Sequence, residues 1–447
     1  MKNSLFGRSL TATLHSLSIA KHSLRRRLAS AALIVATIAI GVGGFCATGS
    51  GIAVLGADPL GGRGAGIYHP QLDSTSSTVD ASMTEPPDDL NFLDAQSVFR
   101  LAEGSPRVMT SQNWLPLTGK GDVGALSRMA ITRATTRDFF SMFGARMQYG
   151  APWTNAQDSL RDRVVVLSSK ANDAIFGGTD SVGRELTIAT KTMRVVGVLK
   201  PWDIVPKIYD LNDGPYSDSE ELFIPFSTWV DLPQDYGYGP VRCIGPLSED
   251  AYGPMDDHCT WVQVWVAMNP AKASLFREKL IAYSLEQQRS GRYGRPPNTR
   301  LRNVPEWLRY KNVVPPGVRA QFFVSLGVLL ACLFTVAGLQ VVSLRGRFPE
   351  LGLRRALGAS RRAIILQLVI EAGLLGFLGG LFGIALGFIG VGLLRLSPET
   401  YASHLSLDGG VVAASIMLGI AAMLVSSLVP AIVASGHSPY RQMQEAG

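Results

Sequence analysis

Side chains able to bind metal, carry protons or attack a substrate are scattered along this chain. The six histidines are His15, His22, His69, His258, His404 and His437, and none forms an HExxH pair or a CxxC-linked zinc pattern. No GxSxG elbow presents a nucleophilic serine. Gly119-Lys120-Gly121 lacks the upstream glycine and the following hydroxyl residue of GxxxxGKS/T, so these 447 residues hold no loop of that kind to cradle a nucleoside triphosphate. The acidic run Asp210, Asn212, Asp213, Gly214, Asp218 has Glu221 at position twelve of an EF-hand count. Gly214 takes the ligand position five, however, and Pro215 replaces the glycine needed at six, so calcium is not expected. No catalytic residue, metal or cofactor is assigned to this chain, and a non-enzymatic role is expected.

The charge pattern is more informative. Charged residues make up 17% of the chain and hydrophobic ones 47%, with a net charge of +7. Residues 28–57, 321–344 and 409–434 carry no charge, and 363–394 carry only Glu371. A helix of about 20 apolar residues spans the hydrocarbon core, so four transmembrane helices are expected. Segment 2–27 sums to +6 and the turn 345–362 to +5, whereas loop 395–408 sums to −1 and tail 435–447 to zero. The positive-inside rule places both termini and 345–362 in the cytoplasm and 58–320 outside. The basic excess is thus a topology signal, and nucleic acid is not an expected partner. Leu10, Leu14, Leu17 and Leu24 recur at helical spacing among Arg8, Lys21 and Arg25–Arg27, which suits an amphipathic helix on the inner membrane face. A loosely ordered basic tail is the alternative.

Residues 58–320 are long enough for a folded domain. Strands are expected at 107–113, 128–134 and 163–168, with hairpin-like strands Glu185–Ala189 and Met193–Leu199. Helical spacing covers Leu90–Ala102, and a short helix Ser169–Phe176 stops at Gly177-Gly178. Thr260–Met268, a helix over 270–289 and Thr299–Val304 read as a β-α-β unit, giving an α+β domain. Between Pro201 and His258 prolines crowd together with Tyr209, Tyr216, Tyr236, Tyr238 and Tyr252. That stretch is either a binding surface or an ordered insertion packed on its own tyrosines. Cys243 and Cys259, 16 positions apart in the outer segment, are a candidate disulfide, while Cys46 and Cys332 lie in membrane runs as space-fillers.

Within the third membrane run Gly379, Gly383 and Gly387 sit four apart, as do Gly376 and Gly380. Small residues at that spacing let helices approach closely in lipid. Glu371 lies nine residues beyond Arg362, about 13 Å along a helix. An ionisable group there is either functional or a structural ion pair near the inner interface. The turn itself reads Arg347-Phe348-Pro349-Glu350-Leu351-Gly352-Leu353-Arg354-Arg355-Ala356-Leu357-Gly358-Ala359-Ser360. Pro349 can open a helix, Glu350 complements its dipole, Leu351, Leu353 and Leu357 form an apolar ridge, and Gly358 stops it. Such a basic, amphipathic element between two membrane helices suits docking to a cytoplasmic partner.

Glu350 to Ser360 fill every position of E-I/L-G-I/L-R-R/K-A-L/I-G-A-S/T, and the segment closely resembles the signature of MacB/FtsX-type ABC transporter permeases. Gln367, Glu371, Ala372, Gly379-Gly380 and the Pro430-Ala431, Ser435, Pro439 end are also similar to that family, as are Phe139-Phe140, Val164–Phe176 and Val195–Val198 upstream. The resemblance implies one membrane helix, a MacB-like periplasmic core and three further helices. In it 65–145 and 260–320 would form a porter-like part, and 146–259 an inserted subdomain. It also implies a multi-pass protein of the inner (plasma) membrane that pairs with a second permease copy or paralogue. A separate cytoplasmic ABC ATPase would engage Pro349, Glu350, Leu351, Gly352, Leu353, Arg354, Arg355, Leu357 and Gly358. A periplasmic adaptor protein is a further expected partner, with membrane lipid around the helices. The expected function is export of a hydrophobic compound, peptide or lipoprotein by mechanotransmission. The alternative is an FtsX-like regulator of an envelope hydrolase, or a sensor of an envelope ligand.

Overall fold

The computed structural model describes residues 28–74, 84–122, 124–232, 239–243, 259–345, 347, 350, 353 and 356–436. The amphipathic segment expected within 1–27 and the tail after Gly436 lie outside them. Two compact units emerge, one of 57–313 and one combining the chain before Ala57 with that after Val313.

Helix α1 (Leu28–Leu55) is the first membrane span. The outer unit follows with β1 (Ile67–Gln71) and α2 (Phe92–Leu101). Asn91 caps α2 by accepting from the Asp94 N–H, which places the helix start two residues after the expected Leu90. Next come β2 (Arg107–Gly121), β3 (Gly124–Thr135), α3 (Asp138–Met142), β4 (Met147–Gly150), α4 (Asn155–Ser159), β5 (Val164–Leu167) and α5 (Ser169–Phe176). Gly177 ends α5 in the left-handed region, φ +66°. The chain continues through β6 (Glu185–Ile188), β7 (Lys191–Leu199), β8 (Leu222–Pro225) and α6 (Phe226–Val230). It closes with β9 (Arg242–Cys243), β10 (Cys259–Thr260), β11 (Gln263–Ala267), α7 (Pro270–Arg289), β12 (Arg300–Asn303) and α8 (Val304–Tyr310).

Ten strands share one sheet in the order β12-β1-β11-β2-β3-β8-β5-β7-β4, with β6 pairing both β2 and β7. The double pairing of β6 joins β2, β3, β8, β5, β7 and β6 into a closed ring, which removes their free edges. Two long strands make this possible by changing partner partway. β2 pairs β11 at Arg107–Thr110 and β6 at Leu117–Thr118, while β7 pairs β6 at Lys191–Arg194 and β4 from Gly197. Leu117, Val165, Leu186, Ile188, Val195 and Leu222 are buried in the common core. Gly121 is fixed by packing: a Cβ there would stand 2.3 Å from the Ile175 carbonyl oxygen of α5. β11 and β12 both run antiparallel to β1, so with α7 they form the expected β-α-β unit with one strand between. α7 buries Ala273, Phe276, Leu280 and Ser284, a helical stripe. Strands from the proposed porter-like and inserted parts pair directly, β3 with β8 and β2 with β6.

The membrane unit contains α1 with α9 (Pro316–Arg345), α10 (Arg361–Leu394) and α11 (Gly409–Gly436). Among the described residues these four helices are long and apolar enough to cross a membrane. α9 starts before the uncharged run at 321 and ends after it, because interfacial arginines extend a helix without entering the hydrocarbon.

Candidate functional site

α9 ends at Arg345, and α10 starts at Arg361 behind Ser360, whose hydroxyl accepts from the Ala363 N–H at 3.2 Å. In between, Glu350, Leu353 and Ala356 are helical, and the Leu357 N–H donates to the Leu353 carbonyl at 3.0 Å. Gly358 then takes φ +98°, a left-handed conformation that ends a helix at little cost only in glycine. Leu353 and Leu357 are 58% and 80% exposed, a two-residue ridge open for contact. Pro349, Leu351, Gly352, Arg354 and Arg355 lie outside the described residues.

Glu371 is paired. Arg347 Nη1 donates to Glu371 Oε2 at 2.5 Å and Nη2 to Oε1 at 3.0 Å, a parallel fork, and Gln367 Nε2 donates to the same Oε1 at 3.3 Å. Both charged side chains are buried. Counting charges in the turn treats Arg347 as one more cytoplasmic cation, so sequence reasoning misses it. Its inward partner, an acid otherwise alone in a membrane run, is the signal that could have found it.

The two glycine rows of α10 meet different neighbours. An added Cβ would lie 2.6 Å from Ile38 at Gly379, 2.8 Å from Val42 at Gly383 and 3.4 Å from Cys46 at Gly387, three successive turns of α1. At Gly376 the same atom would meet the Gly419 carbonyl at 2.9 Å, and at Gly380 Ile416 at 3.4 Å, both in α11. One helix thus contacts two others through bare backbone, the geometry small residues permit in lipid.

In the outer unit the acidic run of residues 210–221 encloses cations. Arg133, on β3, is fully buried, with Nη2 2.5 Å from Glu220 Oε1 and 2.8 Å from Asp210 Oδ2. Lys207 Nζ lies 3.0 Å from Glu220 Oε1 and donates to Gln112 Oε1 at 2.7 Å. Tyr209 donates to Glu220 Oε2 at 2.8 Å, and Gln112 Nε2 donates to Asp213. Burial opposes the Glu220 charge, but Arg133 and Lys207 prevail and hold its carboxyl at about 2. Asp89 is the reverse case: burial, then the Asp210 charge, push it up to about 7, although Gln263 and Asn212 donate to it. Tyr209 and Tyr216 are buried, so this part of the proline-rich stretch packs on its own tyrosines. Tyr236, Tyr238 and Tyr252 lie outside the described residues. Cys243 and Cys259 face each other across β9 and β10 and are bonded.

His69 is buried between Trp265 and Trp307, with its ring nitrogens 2.9 Å and 2.8 Å from the Val264 and Asp88 carbonyls, a structural setting. No group of metal-ligating side chains gathers among the described residues. A cleft of about 600 Å³ opens between α2, the start of β2, α4 and α6, lined by Phe92, Phe99, Arg107, Arg137, Asp158 and Ser227 among others.

Comparison with known proteins gives consistent matches over both units. Residues 31–273 match the MacB-like periplasmic core domain, and 322–439 the FtsX-like permease C-terminal model. The macrolide export ATP-binding/permease protein MacB of Rhodopirellula baltica is 24% identical over 405 residues, covering 85% of this chain and 55% of that protein. The chain therefore spans about half the length of that relative. The uncharacterized ABC transporter permease YvrN of Bacillus subtilis is 23% identical over 307 residues, 68% of this chain and 67% of YvrN. The crystal structure of the periplasmic region of MacB from Actinobacillus actinomycetemcomitans aligns over 56% of this chain and 95% of its own. It does so at 14% identity and a TM-score of 0.35.

Proposed function

The chain belongs to the ABC transporter permeases with an FtsX-like C-terminal region and a MacB-like periplasmic core, and on that premise we propose that it transmits motion rather than conducting substrate. A cytoplasmic ABC ATPase, carried on another subunit, engages the segment 349–358. Its closure on ATP moves the membrane helices and through them the extracytoplasmic domain, as part of a permease dimer. The work performed outside is export of a hydrophobic compound, peptide or lipoprotein, handed on through a periplasmic adaptor.

The observation that carries this reading is the inner-face segment: an acid at its start, an exposed Leu353–Leu357 ridge and a left-handed glycine stop, set between two membrane helices. The sparse polarity of the bundle supports motion over conduction. Among the described residues of the four spans the sole acid is Glu371, and it is ion-paired. Glu350→Ala with Arg354→Ala tests the docking. Loss of the co-purifying ATPase, with the permease still in the membrane, is the expected result. Unchanged complex formation with unchanged coupled ATP turnover contradicts it.

A further inference from the structure

We propose that the Arg347–Glu371 ion pair is a mechanical latch that makes the inner-face segment and α10 move as one body. The proposal rests on the coupling role given above and adds the residues through which force enters the bundle. The segment 349–358 is joined to α10 covalently at Ser360, just past Gly358, whose φ of +98° marks a bend with no side chain to brace it. The other end is joined to α9, so a segment linked to α10 through that bend alone can swing without displacing α10. Arg347 supplies a second point of attachment at the segment's other end, because it lies between the last residue of α9 and Glu350.

The form of the pair suits that task. A planar guanidinium meeting a carboxylate through two parallel bonds resists both sliding and rotation, whereas a lysine would offer one swivelling charge. Gln367, one turn before Glu371, donates to the same carboxylate and fixes its rotamer from within α10. An arginine just past a membrane helix would ordinarily extend toward water, yet the Arg347 side chain is turned inward and buried. Immediately beyond Glu371, α10 presents Gly376 and Gly380 to α11 and Gly379 and Gly383 to α1. A pull on Glu371 is thereby passed to two helices through contacts too close to absorb it, and α1 leads directly into the outer unit.

The test uses the full chain in lipid nanodiscs, with its ATPase partner, as Arg347→Lys, Glu371→Gln and the exchange Arg347→Glu/Glu371→Arg. Spin labels in the outer domain report the ATP-driven distance change per ATP hydrolysed. Both single variants are expected to keep the ATPase bound while the distance change per ATP falls about fivefold or more. Arg347→Lys, which keeps the opposite charges, should melt near wild type, and Glu371→Gln, which leaves the guanidinium buried without its counter-charge, should melt lower. The exchange variant is expected to restore most of it. Coupling equal to wild type in both single variants overturns the proposal, as does coupling that falls only in step with melting temperature. Hydrogen exchange over 350–358, measured without ATPase, separates this from the docking reading. It is expected to quicken about tenfold or more in Arg347→Met, and unchanged exchange overturns the latch. Failure of the wild type to bind any ATPase would overturn the docking reading instead.

Discussion

Replacing Arg133 by methionine would remove one of two cations from a buried cluster that also holds Glu220 and Asp210. The guanidinium makes bonds to Glu220 at 2.5 and 2.7 Å, to Asp210 at 2.8 Å, to Gln112 at 3.1 Å and to Thr110 at 3.3 Å, and it lies over the Tyr209 ring. With it gone, Lys207 alone faces two carboxylates, of which Glu220 has no access to water. Breaking a buried pair by deleting one partner costs about 3–5 kcal/mol. For a domain of this size each kcal/mol moves the melting temperature by about 2–4 °C, so a fall of roughly 6–20 °C is expected. Tryptophan fluorescence follows the transition directly, since Trp229, Trp261 and Trp265 are buried in the outer unit. Restoring the charge balance with Arg133→Met/Glu220→Met should recover a large part of the loss. The pH dependence adds a sign. Glu220 ordinarily titrates near 4.5 and is held at about 2, so its contribution is complete above 4.5 and disappears as pH falls toward 2. In Arg133→Met the folded carboxyl rises back toward or past its ordinary value, so that acid-dependent loss should shrink or vanish. Melting within about 2 °C of wild type at neutral pH, the range of an ordinary surface substitution, would refute the reasoning.

Asp89 should behave in the opposite direction. Its carboxyl is raised from 3.8 to about 7, so the folded state is favoured by protonation and loses stability as pH rises between those values. Asp89→Asn is therefore expected to melt higher than wild type above pH 7, with the gap closing in acid; identical melting curves across that window would contradict it. Gly383→Val would drive a Cβ to 2.8 Å from Val42 and should lower detergent stability by about 1–3 kcal/mol, whereas Gly392→Ala, with nothing within 4 Å, should be silent. Equal heat-inactivation rates for the two variants would remove the close packing of α1 on α10. Cys243→Ser/Cys259→Ser opens a bridge across 16 positions and should cost about 3 kcal/mol, read as a lower melting temperature that reductant no longer changes.

The membrane helices were legible because runs of 24 to 32 residues with at most one charge have few other meanings. Strands β5, β6 and β7 and helices α5 and α7 were legible from alternation, helical spacing and glycine stops. Ring closure was not. β2 reads as a strand only over 107–113, because Thr118-Gly119-Lys120-Gly121 is polar and glycine-rich, and nothing local says that its far end pairs with β6. β8 is a short apolar run, Leu222-Phe223-Ile224-Pro225, hidden within a proline-rich stretch. The buried cluster is encoded at two distant places, an arginine within β3 and an acidic run ending at Glu221. Each alone looks like a solvated charge. Arg347 escapes for the same reason. Its partner lies a helix away, and only burial distinguishes it from its neighbours in the turn.

The account stands on motion crossing the membrane from an ATPase inside to a domain outside. The direct measurement is the distance between spin labels on the 57–313 unit in a reconstituted permease–ATPase complex, before and after trapping the nucleotide at the hydrolysis transition state. A trapped-state shift that vanishes when Glu350 and Arg354 are replaced by alanine is predicted. An outer domain that holds one conformation while the bound ATPase turns over would contradict it.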